Sequence, residues 1–502
     1  MSRALIAAVL LGTCLSAAPV LAKTNYDGVW LFDDTPPRPG VTMMEVSSKG
    51  GKIEGSVTTQ WYGPIRMEDP RIEDGVLRFT ARNINDKEHP VQNWSVAIAN
   101  GEVRLKGRIW ESDIDSKGRR GKARDAAARA FRFAPLPALG APIPRKLAPT
   151  PPMGWSSWNK FDEHIDDATV RAMADAMVST GLRDAGYTYI NIDDGWQGKR
   201  DAHGVLQPNA KFPDMKALTD YVHSRGLKIG IYSSQGPRTC AGYEGSYGHV
   251  KQDAQTFADW GFDYLKYDLC SGEWFYADAD TVKRSYYEMG AALQATGREF
   301  IYSLCEYGRF DVGSWGRDVG GQLWRTTGDI TDDYPTMARI GFEKNGNPGW
   351  AGPNGWNDPD MLEVGNGGMS ADEYRTHMTL WAMSAAPLMM GHDLRQTSAE
   401  TLAMLTNRRV IAVDQDPKGI QGKAVRKAGA MEVWAKPLAD GRVALALFNR
   451  GDASGSLSLT AADAGLSGIS MVEDQWSGKT DSSLPASYTV PARGAVMIVV
   501  RG

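Results

Sequence analysis

The sequence predicts a multidomain protein in which a (β/α)8 barrel is flanked by an N-terminal all-β domain and a C-terminal antiparallel β-sandwich. Three observations carry this. The chain has 502 residues, more than one hydrophobic core organises. Its centre alternates short apolar runs with helical patterns, eight runs in all, which reads as a barrel of parallel strands. Both flanks alternate apolar and polar residues with period two, interrupted by Asn-Gly and Asp-Gly turns.

Residues 1–22 carry the pattern of a secretory signal: Arg3, an apolar stretch from Ala4 to Leu15, and a small-residue cleavage site at Val20-Leu21-Ala22. Cys14 offers a lipidation alternative, although Thr13 precedes it where Gly or Ala is usual. The apolar stretch is too short to span a bilayer, and no later run reaches the ~18 residues a span needs. The expectation is a secreted or periplasmic protein in an oxidising compartment. Cys240, Cys270 and Cys305 then remain, enough for one internal bridge and one free thiol.

Residues 23–134 form the all-β domain. Trp94, Val96 and Ile98 share one strand face, Asn100-Gly101 turns the chain, and Val103, Leu105 and Ile109 return. The basic run from Lys117 to Lys122 reads as a solvated loop. Trp61, Tyr62 and Trp94 suit either core packing or stacking on sugar. Residues 135–150 are a Pro-rich linker, since Pro135, Pro137, Pro142, Pro144 and Pro149 exclude helix and sheet.

Residues 151–415 form the barrel, with strands expected at 153–158, 187–193, 228–233, 262–268, 300–305, 323–329, 356–362 and 387–391. Val170, Met173, Ala174, Met177 and Val178 make the first helical stripe. A doubly wound sheet would want a Gly-rich phosphate turn after the first strand, and Gly154-Trp155-Ser156-Ser157 is not one. Residues 416–502 form the sandwich, with a hairpin turning at Ala439-Asp440-Gly441.

Barrel enzymes carry chemistry where the strands end. Here those ends hold Trp158, Asp193, Asp194, Tyr232, Lys266, Asp268, Glu306, Arg325, Asp329, Asp358 and Asp360. One such Asp is more often a helix cap than a catalyst; charged ends on successive strands are harder to dismiss. Several carboxylates with a Lys, an Arg and aromatics suit glycoside hydrolysis, which needs two carboxyls across the bond and more to grip hydroxyls. Lys266 shares a strand face with Asp268, and its charge would keep that carboxylate ionised. Clustered Asp also suits Mg²⁺, but the interleaved Trp and the Lys argue against a hard-cation site. No metal or cofactor is expected, and the net charge of −4 suggests no nucleic-acid partner.

At these residues the sequence resembles glycoside hydrolase family 27, the α-galactosidases and α-N-acetylgalactosaminidases. The motifs are Pro152-Met153-Gly154-Trp155, Asn191-Ile192-Asp193-Asp194-Gly195-Trp196, Gly230-Ile231-Tyr232, Thr239-Cys240-Ala241-Gly242, Lys266-Tyr267-Asp268-Leu269-Cys270 and Gly355-Trp356-Asn357-Asp358-Pro359-Asp360-Met361. The resemblance implies a retaining hydrolase of α-galactosides with Asp268 as nucleophile and Asp329 as general acid/base, their carboxyls about 5 Å apart. It implies a sugar pocket of Trp158, Asp193, Asp194, Tyr232, Lys266, Arg325 and Asp360, and a Cys240–Cys270 bridge. Glu306 resembles the carboxylate that accepts from the sugar 2-hydroxyl in α-galactosidases and would crowd an acetamide. The oligomeric state is not legible in the sequence.

Overall fold

The computed structural model describes residues 25–33, 40–59, 61, 63–81, 92–109, 112–129, 131–143, 146–276 and 278–502. The expected signal segment and Tyr62 lie outside them.

The N-terminal region is an eight-stranded antiparallel barrel in which each strand pairs with the next and the eighth, Ser112–Arg120, closes on the first, Gly28–Phe32. The hairpin between Gln92–Ala99 and Glu102–Ile109 turns at Asn100 (φ 53°) and Gly101 (φ 81°). Both tolerate the left-handed conformation that a two-residue hairpin demands. Trp30, Phe79, Trp94, Val96, Val103 and Leu105 fill the interior. Trp94 is seated against Gly107, where even a Cβ would clash with the indole. Trp61 and Trp94 are thus core residues rather than a sugar surface. The basic run is not a loop: Lys117–Arg120 belongs to the closing strand, and Arg120 lies over the Trp30 ring at 4.6 Å. A short helix, Ala123–Arg129, follows it.

The central region is a parallel (β/α)8 barrel. Its strands are Met153–Ser156, Tyr189–Asn191, Lys228–Ser234, Tyr264–Asp268, Ile301–Cys305, Leu323–Arg325, Trp356–Asp358 and Leu388–Met390. The first seven pair in sequence order, the eighth pairs with the first, and a bridge between Leu362 and Met390 joins the seventh side to the eighth. The first long helix, Asp167–Ser179, is capped by Asp166, whose side chain accepts from the Thr169 N–H. It buries Val170, Met173, Ala174 and Met177 against the sheet. A hairpin not anticipated from sequence, Gln197–Arg200 with Leu206–Pro208, lies in the loop after the second strand. After the fifth strand the chain makes only a short 3-10 segment, Arg309–Ser314.

The C-terminal region pairs a six-stranded antiparallel sheet with a two-stranded one. Alternation along its strands serves two cores. Ala444, Ala446, Phe448, Met497 and Val499 join the barrel's own cluster, while Leu445, Leu447, Ile498 and Val500 form the sandwich interior. Among the described residues, no helix is long and apolar enough to cross a membrane.

The linker is strapped to the barrel. Arg284 on helix Ala279–Ala295 donates to the carbonyls of Leu136 (2.7 Å) and Pro137 (2.8 Å), and the Tyr287 hydroxyl to that of Ala141 (3.2 Å). Farther along, Ile143 donates to Asp318, and the Ala148 carbonyl accepts from the Trp356 indole.

Candidate active site

The strand ends converge on a cavity lined by Trp158, Asn159, Asp193, Asp194, Tyr232, Cys240, Lys266, Asp268, Tyr307, Arg325, Asp329, Asp360 and Met361. Nine of the ten side chains singled out from sequence for catalysis or substrate binding are on this wall.

Asp268, at the end of the fourth strand, is buried. Three donors fix it: the Tyr307 hydroxyl (2.8 Å), the Leu269 N–H (2.8 Å) and the Tyr232 hydroxyl (3.2 Å). Burial raises its pKa above the ordinary carboxylate value, while Lys266 and the Tyr307 hydroxyl pull the other way. Asp329, in the loop after the sixth strand, is different: its side chain is 63% exposed. Desolvation pushes its carboxyl up, but the Arg325 guanidinium at 2.9 Å outweighs this and holds it below the usual range.

Arg325 also reaches Asp360 at 3.0 Å. Asp360 sits at φ 86°, a left-handed strain that a non-glycine residue keeps only when its surroundings impose it. The surroundings are visible: its N–H donates to Asp358, and its two carboxylate oxygens accept from the Met361 and Ile330 N–H groups. Lys266 pairs with Asp193 at 2.9 Å. Asp194 accepts from the Gly195 and Ala241 N–H groups, and burial lifts its pKa to about 7. Asp358 lies below the pocket in the barrel core, beside Tyr264 and Ser303.

Glu306 is the exception. It does not reach the pocket wall and is fully buried, with one oxygen accepting from the Gly308 N–H. Strand register gives the reason. Asp268 pairs with Cys305 and Lys266 with Ser303, so the inward set on the fifth strand is Ser303 and Cys305. Tyr307 continues that set into the pocket, and Glu306 falls on the opposite side. The sequence argument that Glu306 would exclude an acetamide therefore does not hold on this geometry. Tyr307 was missed; the alternation that placed Lys266 with Asp268, continued along the next strand, points to it. Asn159, next to Trp158, was missed as well, while Met361, the last residue of the motif that begins at Gly355, lines the wall without having been given a role.

Cys240 and Cys270 form a disulfide across the loops after the third and fourth strands, and Cys305 is a buried free thiol. Among the described residues, Cys240, Asp268 and Cys270 form the one cluster of potential metal donors, and its two sulfurs are joined to each other.

Known proteins resemble this chain in sequence and in fold. The family model for alpha galactosidase A matches residues 150–416, and that for the alpha galactosidase C-terminal β-sandwich domain matches 428–500. An alpha-galactosidase of Cyamopsis tetragonoloba is 48% identical over 342 residues, 67% of this chain and 82% of that protein. The chain belongs to glycoside hydrolase family 27. Two solved structures place this glycoside hydrolase among its relatives. An alpha-galactosidase of Saccharomyces cerevisiae, solved with raffinose, is 28% identical with a TM-score of 0.66, covering 71% of this chain and 98% of its own. A Bacteroides fragilis chain assigned as an alpha-galactosidase is 32% identical with a TM-score of 0.67. It covers 96% of the family 27 chain described here and all of its own, so the likeness extends into the N-terminal β-barrel.

Proposed function

We propose that this enzyme removes terminal α-linked galactose with retention of anomeric configuration, Asp268 acting as nucleophile and Asp329 as general acid/base. The observation that carries the assignment is the contrast between two carboxyls on one cavity: one locked by three donors at its buried wall, the other exposed at its mouth. A nucleophile must be aimed at the anomeric carbon of a seated ring. An acid/base must meet the leaving oxygen and then the incoming water, both of which arrive from solvent.

In the first step Asp268 attacks the anomeric carbon, the glycosidic bond breaks, and Asp329 delivers a proton to the departing oxygen. In the second, Asp329 takes a proton from water as that water displaces Asp268. Beside Arg325, Asp329 rests as the anion. A seated substrate removes water from its exposed face, which favours protonation. Lys266 with Asp193, and Arg325 with Asp360, present fixed charges to the sugar hydroxyls. The relatives' names and the raffinose complex support galactose as the sugar. The leader-like first residues support export.

Nitrophenyl α-galactoside should be cleaved with α-galactose as the first-formed anomer by proton NMR. The N-acetylgalactosaminide should be turned over far more slowly. First-formed β-galactose would overturn retention, and preference for the N-acetyl substrate would overturn galactose. The second result has a structural route, because Glu306 does not occupy the pocket.

A further inference from the structure

The N-terminal β-barrel meets the catalytic face through aromatic rings. Phe131 stacks on Phe275 with centroids 5.2 Å apart and planes within 8°. Tyr247 closes on Phe275 at 4.9 Å and on Phe131 at 5.5 Å. Phe275 packs against both the N-terminal core and the barrel core. Tyr247 belongs to the loop after the third barrel strand and Phe275 to the loop after the fourth. Both loops leave the end of the barrel that carries the pocket. From Phe131 the linker runs down helix Ala279–Ala295, which fixes the small barrel at the catalytic end.

Phe133 stands out in this cluster. It is 62% exposed, the most exposed large hydrophobic side chain among the described residues and the only aromatic one in that class. It packs edge-on against Phe131 (5.2 Å) and Phe275 (6.2 Å), so its ring is held in place. The loops that carry the cluster also serve the pocket: Cys240 shares the loop of Tyr247, and Asp268 ends the strand that leads into the loop of Phe275. Phe275 lies seven residues after Asp268, and Glu273 in the intervening turn pairs with Arg309 at 3.4 Å. Arg309 lies two residues after Tyr307, which touches Asp268.

We propose that the N-terminal barrel completes the substrate mouth, with Phe133 as a platform for a sugar ring of the aglycone beyond the cleaved bond. This rests on the galactosidase reading of the pocket. The chemistry suits a carbohydrate: an anchored aromatic face for the apolar side of a pyranose, with the partly exposed Arg309 guanidinium, paired to Glu273 on the loop of Phe275, as a donor to hydroxyls. It also gives the first domain a role in the reaction, on extended substrates only.

The test compares the full chain with Phe133→Ala and Phe133→Trp. Nitrophenyl α-galactoside has no sugar beyond the bond, whereas raffinose and galactomannan oligosaccharides do. Phe133→Ala should raise KM for the sugar-bearing substrates by about two- to tenfold, the worth of one aromatic contact. The kcat values and the nitrophenyl kinetics should stay unchanged, and Phe133→Trp should restore KM. Calorimetric titration of a galactosylated manno-oligosaccharide into Asp268→Asn protein, with and without Phe133→Ala, reads the platform without turnover. The platform and the reading of the pocket can thus fail separately. Equal KM and equal affinity with and without the ring would overturn the proposal. So would a loss of self-association in Phe133→Ala on sedimentation, which would assign this face to a second copy of the chain.

Discussion

The molecule contains two eight-stranded barrels built on opposite plans. The N-terminal one is antiparallel, each strand pairs with its sequence neighbour, and Trp30, Phe79 and Trp94 fill it. The central one is parallel, and beneath its pocket the interior holds Asn191, Tyr264, Lys266, Ser303, Arg325 and Asp358. The first resembles a core that needs only to exclude water. The second keeps charge where burial disfavours it, and the consequences are measurable: Asp194 and Asp358 are lifted to about 7 and about 6, and Asp360 is held at a strained φ. Strand number and closure do not distinguish an active barrel from a structural one. What distinguishes them is where polar groups are forced to lie.

Substitutions can break this contrast. The largest effect belongs to the pocket: Asp268→Asn should lower kcat on nitrophenyl α-galactoside by about a thousandfold or more while leaving the circular dichroism spectrum and thermal midpoint intact. A variant with near-normal turnover would remove the mechanism. Asp329→Asn should slow sugar-bearing substrates far more than nitrophenyl galactoside, whose leaving group needs little protonation. Equal losses on both would place the acid elsewhere.

In the other barrel, Trp94→Ala should cost about 3–5 kcal/mol, the usual penalty for emptying a buried aromatic site. Differential scanning calorimetry should show an early transition, with nitrophenyl turnover retained below it. Loss of that turnover in step with the transition would mean the two barrels do not act as separate units. A finer probe is Tyr307→Phe. The Tyr307 hydroxyl donates to ionised Asp268 and so favours the anion. Removing it raises the Asp268 pKa, and protonated Asp268 cannot attack. The acid limb of kcat/KM should therefore move to higher pH, with the alkaline limb unmoved. An unshifted acid limb would show that the hydroxyl does not tune the nucleophile.

Much of this architecture was legible in the sequence because its signals are local. Eight apolar runs marked eight parallel strands, and the φ-tolerant pair Asn100-Gly101 marked a hairpin. The charged residues that end those runs reach one cavity because parallel strands all finish at the same end of a barrel. What failed depended on register or pairing. Glu306 has the right chemistry one residue out of phase. Lys117–Arg120 is too charged to look like a strand, yet it has partners on both sides, Glu102–Arg104 and Trp30–Phe32, and closes the barrel. The aromatic joint between the barrels unites Phe131, Tyr247 and Phe275, residues too distant in sequence for any periodicity to connect.

The strapped linker also bears on how this architecture can be cut and recombined. A chain beginning at Met153 would lose the carbonyls that Arg284, Tyr287 and the Trp356 indole now hold, and would bare a strip of helix Ala279–Ala295. The linker therefore belongs to the catalytic unit rather than to a detachable first domain. A graft from another family member would have to bring its matching helix surface with it, so the joint and that helix are expected to be inherited as one unit.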